Sequence, residues 1–192
     1  PDARQLEGCV ALINKAKRPL IIAGGGVHYS GAMDVLREFS TKYGIPVGET
    51  QAGKGSLPWN DPLNLGGIGV TGTSCANKIA SNADVVICVG TRLSDFTTAS
   101  KTLFSAHNVQ FIGLNVSSFD AAKCNAASLV ADAKRSLLLL NEKLENYSTS
   151  RNYQRYCKEE INKWQHYASE VCSPVNSSLP GDAQVLSVIN EV

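Results

Sequence analysis

Gly24-Gly25-Gly26 follows the apolar run Pro19-Leu20-Ile21-Ile22-Ala23 and precedes a helical pattern. At such a place an open parallel sheet presents backbone N–H groups and a helix N-terminus to a phosphate. The dinucleotide fingerprint G-x-G-x-x-G breaks here, however: counted from Gly24 it sets Tyr29 in the third glycine's position, and Gly31 comes two residues late. Glycines in this setting also make a tight turn that lets a helix pack closely on the sheet, and that is the preferred reading. Glu49 stands at about the separation from Gly26 at which an acid meets a ribose hydroxyl; with the fingerprint broken, it is expected to be a solvated carboxylate at a strand end. His28 reads either as a general base or as a polar loop residue, and no serine, cysteine or acid is placed by sequence to pair with it.

A second cluster, Gly90-Thr91-Arg92-Leu93-Ser94-Asp95, follows the apolar run Val85–Val89 and so falls at the carboxyl edge of the sheet, where ligands sit. Arg92 there either grips a phosphate or binds Asp95 or a loop carbonyl, and the two readings stand level. The candidate cofactor-binding residues are thus Gly24, Gly25, Gly26, Thr91 and Arg92. No catalytic residue and no metal ligand is assigned. Cys9, Cys75, Cys88, Cys124, Cys157 and Cys172 are far apart and form no C-x-x-C pair of the kind that holds zinc. Cys88, inside an apolar run, reads as a small hydrophobe, and reduced thiols point to the cytoplasm.

The elements that position these clusters follow from periodicity. Asp2 and Gln5 read as a capping box before a helix with Leu6, Cys9, Val10 and Ile13 on one face. The run 19–23 reads as a strand covered on both faces. Ser30 is expected to cap the next helix, whose inner stripe is Val35, Leu36, Phe39 and Tyr43 and which Gly44 ends before a short strand at Ile45-Pro46-Val47. Residues 48–72, rich in Gly with Pro58 and Pro62, read mostly as loop. Thr73 or Ser74 caps a helix, and Asp84 introduces the strand 85–90. Further strands are expected at 109–116 and 129–131, then a helix capped by Asp132 with Ala133, Leu137, Leu140 and Leu144 on one face. This alternation implies right-handed crossovers and an α/β fold: an open parallel sheet of five or six strands with helices on both faces.

After Tyr147 the character changes. Tyr153, Cys157, Ile161, Trp164, Ala168 and Val171 lie on one stripe of a linker helix of roughly 30 Å. Trp164 is therefore expected to be largely buried against the sheet or a partner, and for Trp164 and Tyr167 packing is preferred to ligand stacking. Residues 173–180 read as loop, and 182–192 begin a fresh helical pattern.

At 192 residues the chain can bury a core unaided, and 43% hydrophobic against 18% charged residues places it among globular proteins. With 18 basic and 17 acidic side chains it has no electrostatic reason to bind nucleic acid or an anionic membrane. No apolar stretch approaches the roughly 20 residues of a membrane span. The start at Pro1 rather than Met is read as the cut edge of a longer chain.

Arg18 to Gly26, Val86 to Leu93 and Phe111 to Val116 together resemble the central domain of thiamin-diphosphate enzymes of the acetolactate synthase type, across most of residues 1–147. Glu49 to Trp59, Leu65 to Thr73 and Ser94 to Thr98 resemble one branch more closely, which opens a cyclic trihydroxydione in inositol breakdown. The resemblance implies a parent that hydrolyses a ring C–C bond next to a carbonyl with thiamin diphosphate and Mg2+. It places the activating glutamate in an N-terminal domain and the G-D-G…N metal motif in a C-terminal one, whose opening Leu179 to Val185 resembles. It therefore implies a division into a central domain (1–147), a linker helix and loop (148–178) and the start of the C-terminal domain (179–192). This chain would be non-catalytic and bind no cofactor itself, with flanking domains of the same chain as partners and a homo-oligomeric parent. Some relatives hold FAD near the positions of Gly24 to Gly26 and Gly90 to Arg92, but this branch is not expected to need it. Two competing readings are a sirtuin-like NAD-dependent deacylase, whose zinc cysteines are missing, and a stand-alone FAD- or NAD-binding module.

Overall fold

A computed structural model describes residues 1–105, 108–173 and 179–191. Segments too short for helices, apolar throughout in β1 and β4, form a six-stranded, all-parallel sheet: β1 (Pro19–Ala23), β2 (Val47–Glu49), β3 (Asn64–Gly67), β4 (Val85–Val89), β5 (Gln110–Asn115) and β6 (Ala127–Val130). Their order is β3-β2-β1-β4-β5-β6, so the chain reverses its direction of winding between β1 and β4. Ala23, the last residue of β1, pairs with Glu49 on one side and Val89 on the other, which brings three strand ends together at that crevice.

Because every residue of β1 and β4 is buried, alternate side chains must feed separate cores. Ile21, Ile87 and Leu114 pack under α1 (Ala3–Lys15), α3 (Met33–Tyr43) and α7 (Ala133–Lys143). Leu20, Ile22, Val86 and Cys88 pack under α4 (Ser74–Ser81) and the long α8 (Arg151–Cys172). Short helices α2 (Gly25–Tyr29), α5 (Asp95–Thr98) and α6 (Ser118–Ala121) follow the carboxyl ends of β1, β4 and β5, and α9 (Asp182–Glu191) follows α8.

Local signals hold at most helix ends. Asp2 accepts from the Arg4 and Gln5 amides, Thr73 from Ala76 and Asp132 from Arg135, while Gly44 ends α3 at φ 66°. Four expectations are corrected. Gln5 does not close the capping box; its side-chain oxygen accepts from the Val130 amide of β6. Ser30 caps no N-terminus: it ends α2, its hydroxyl donates to the Val27 carbonyl, and α3 starts from Ala32 without a side-chain cap. The second strand sits two residues later than expected, and the supposed loop 48–72 contains the edge strand β3. The expected loop 173–180 lies partly, at 174–178, outside the described residues, as does Val192 of the final helical pattern.

The helix read as a linker is built into the second core. The Tyr153 hydroxyl donates to the Pro19 carbonyl (2.8 Å), and buried Glu160 accepts from Lys78 of α4 (2.9 Å) and Lys163 (2.6 Å). Burial fades along it: Tyr153, Cys157 and Ile161 are buried, and Trp164, expected to be largely buried, is partly buried and packed against the second core.

Candidate functional site

At the carboxyl edge, where β1 and β4 part, lies a cavity of about 690 Å³. A crevice at the winding reversal is where open α/β sheets place ligands. Its floor is made of main chain. The Gly24 amide donates to Val89 (2.8 Å) and the Gly26 amide to Gly90 (3.0 Å), so two glycine amides available in principle to a phosphate are already used. A Cβ on Gly24 would stand 2.4 Å from the Gly90 oxygen, and one on Gly26 would stand 2.6 Å from the Gly90 Cα. Gly90 itself has φ 59°, in the left-handed region that favours glycine.

Of the five candidate cofactor-binding residues, Gly25, Gly26, Thr91 and Arg92 line the cavity, while Gly24 lies behind it as a packing residue. Thr91 is buried, and its carbonyl accepts from Asn115 at the end of β5 (3.1 Å). The Arg92 side chain is exposed and, among the described residues, meets neither Asp95 nor a loop carbonyl; its own carbonyl accepts from Lys123 (2.9 Å). Lys123 also pairs with Asp120 (2.8 Å), and that hydrogen bond holds the Asp120 carboxyl below its ordinary range. Tyr29, Phe96 and Val116 bring large, exposed apolar groups to the mouth. Next to Phe96, Ala99, Ser100 and Lys101 run consecutively at φ 46°, 54° and 68°, a strained stretch for residues other than glycine.

His28 lies apart from the lining, with Nε2 3.0 Å from the Lys54 carbonyl; since a carbonyl only accepts, Nε2 carries the proton and donates. Glu49 overturns its expectation. It is fully buried rather than solvated, accepting from the Leu57 amide (3.0 Å) and Lys54 (3.3 Å). It pins the chain between β2 and β3, whose near side, Thr50 to Ala52, walls the cavity. The far side of the same segment, Lys54 and Trp59, walls a second cavity of about 530 Å³ together with Leu65, Cys75, Ile161 and Trp164. There two carbonyls of β3 are occupied: Leu65 accepts from the Thr73 hydroxyl (2.7 Å) and Gly67 from the Thr73 amide (2.8 Å).

Burial pushes the Cys9 and Cys157 thiols up to about 11 and raises Cys75 and Cys88, so the buried thiols are neutral at pH 7. Among the described residues no three His, Cys, Asp or Glu side chains are grouped to hold a metal. Asp120 is tied to Lys123, and Asp132 caps α7. These residues do not fit a magnesium–diphosphate group, which needs several hard oxygen ligands. Sequence reasoning missed Asn115, Asp120 and Lys123. The rule that found Thr91, that the end of a parallel strand faces the ligand edge, would also have found Asn115 at the end of β5.

The family described as "Thiamine pyrophosphate enzyme, central domain" matches residues 6–140. Among curated proteins, the 3D-(3,5/4)-trihydroxycyclohexane-1,2-dione hydrolase of Clostridium tetani is 49% identical over 165 residues, covering 86% of this chain and 26% of the relative. The hydrolase of the same name from Clostridium botulinum (strain Alaska E43) is 49% identical over 156 residues, 81% of this chain and 24% of its own. That of Geobacillus thermodenitrificans is 46% identical over 173 residues, 90% of this chain and 26% of its own. The chain thus spans about a quarter of the length of these relatives.

Proposed function

Since this chain belongs to the family of thiamine pyrophosphate enzyme central domains, we propose that it is the non-catalytic central domain of a hydrolase that opens the ring of trihydroxycyclohexane-1,2-dione in inositol breakdown. The observation that carries this reading is near-half identity, over most of this chain, to hydrolases of that name of which it forms a quarter. In this reading thiamin diphosphate and Mg2+ are held by the flanking domains. This chain's residues do the work of a frame: the sheet sets the strand ends in register, and Glu49 and the Gly26–Gly90 contact fix the cavity wall and floor.

The division at 147 and 178 belongs to the same proposal. It is supported by the end of the family match at 140 and by α9, whose Val185, Leu186, Val188 and Ile189 are exposed as if for a body not described. A homo-oligomeric, cytoplasmic parent that binds neither nucleic acid nor membrane is also proposed; among the described residues no helix is long and apolar enough to cross a membrane. The family match lends no support to a deacylase or a stand-alone nucleotide module.

Calorimetry and a ring-opening assay test the reading. The full-length protein should hydrolyse the dione with thiamin diphosphate and Mg2+, and this chain alone should neither bind the cofactor nor turn over. Micromolar binding by the chain alone, or a full-length protein inert toward the dione, overturns it.

A further inference from the structure

The apolar stripe of α8 continues after its burial ends. Beyond Ile161 it runs through half-buried Trp164 and Ala168 to exposed Val171, and across the second cavity Trp59 stands 83% exposed. Isolated apolar side chains on a surface are ordinary, but a continuous run beside a groove marks a site of association.

The orientation of α9 says where the partner comes from. Ala183, Gln184 and Ser187 are half-buried, while the larger Val185, Leu186, Val188 and Ile189 are 44–62% exposed. The helix packs on α8 and is tied to its end by Gln184, which donates to the Ser173 carbonyl (2.9 Å). A helix that shelters its small and polar residues and exposes its apolar stripe is oriented for a second body on its other face. At about 1.5 Å per residue, Trp164 lies roughly 14 Å along α8 from Ser173. A domain seated on α9 therefore reaches the groove. The chain covers only 24–26% of its hydrolase relatives, so in those proteins most of the sequence lies outside the matched region.

We infer that the Trp59–Trp164 groove and the outer stripe of α8 form one docking surface, occupied by the domain of the same chain that begins at α9, the apolar face of α9 being that domain's own first packing surface. The inference rests on the domain reading proposed above. Occupation takes place through side chains rather than by addition of a strand to β3, because Thr73 already holds the Leu65 and Gly67 carbonyls. Trp59 is the side chain presented most freely to the partner, and Trp164 forms the opposite wall.

Hydrogen exchange read on peptides 54–63 and 162–173 tests it, in this chain and in the full-length protein. The full-length protein should exchange about tenfold more slowly in both peptides, to the same extent at concentrations above and below its oligomer dissociation. In it, Trp59→Ala and Ala168→Glu should restore fast exchange, while Trp59→Ala leaves the melting temperature of this chain unchanged. Equal exchange in the two proteins overturns the inference. Protection that vanishes on dilution assigns the surface to a second copy and overturns it as well. Ring opening by the unsubstituted full-length protein is measured in parallel: protection without activity rejects the hydrolase reading and leaves the docking surface standing, and activity without protection does the reverse.

Discussion

The two faces of the sheet are covered to different degrees. Under α1, α3 and α7, Ile13, Leu36, Leu137, Leu140 and Leu144 have no exposure, and Tyr43 fastens α3 to α7 by donating to Asn141 and the Leu144 carbonyl. Under α4 and α8 the cover is complete only as far as Ile161; beyond it the same helix carries a half-buried tryptophan and an exposed valine. A parallel sheet needs both faces covered. The first face is finished by this chain, and the second is finished in its middle and left open toward α9.

Three substitutions sharpen or break that comparison. Val86→Asp places an unpaired carboxylate in the middle of the second core, at a cost of several kcal/mol against a total stability of about 5–15 kcal/mol. Circular dichroism should show the cooperative melt lost; a melt like that of the unsubstituted chain would mean that β4 is not covered on this side. Next, Leu137→Ala on the closed face should cost about 2–5 kcal/mol, and Trp164→Ala on the open face roughly 1–2 kcal/mol, since only part of the indole leaves a packed site. Equal costs in chemical denaturation would erase the difference between the faces.

The smallest effect concerns the tie between α4 and α8. Hydrogen bonds from Lys163 and Lys78 hold the Glu160 carboxyl below its ordinary range. A lowered pKa gives stability that is present above the unfolded glutamate value, about 4.3, and is lost as pH falls through the folded one. Because both lysines are more than half exposed, the tie is worth about 0.5–1 kcal/mol. Glu160→Gln should therefore be less stable than the unsubstituted chain at pH 7, and the gap should narrow as pH falls below about 4. A gap that does not narrow would show that the cost is steric.

What was legible in the sequence was what neighbours in the chain decide. Asp2, Thr73 and Asp132 cap the helices that follow them because cap and amide lie two or three residues apart. The runs 19–23 and 85–89 read as buried strands because every residue is apolar. β3 was missed because Asn64-Leu65-Gly66-Gly67 has poor strand propensity and is a strand only by pairing with β2. Gln5 was misread because its partner, Val130, is 125 residues away. Glu49 looked like surface because a lone acid beside glycines is usually solvated; its burial depends on Lys54 and the Leu57 amide folding back over it. In the candidate site, Thr91 and Arg92 followed from one strand end. The mouth formed by Tyr29, Phe96 and Val116 gathers the ends of three strands and could not be read from any single one.

The contact of Gly24 and Gly26 with Gly90 joins β1 to β4 through main chain alone. A single methyl group at Gly26 would push the start of α2 off the end of β4, yet no side chain at the cavity mouth takes part in the joint. Shape and chemistry at this edge are therefore separable. Tyr29, Arg92, Phe96 and Val116 can be exchanged as fittings on a fixed frame, and a scaffold of this construction can change what it holds, or cease to hold anything, without having to find a new way to fold.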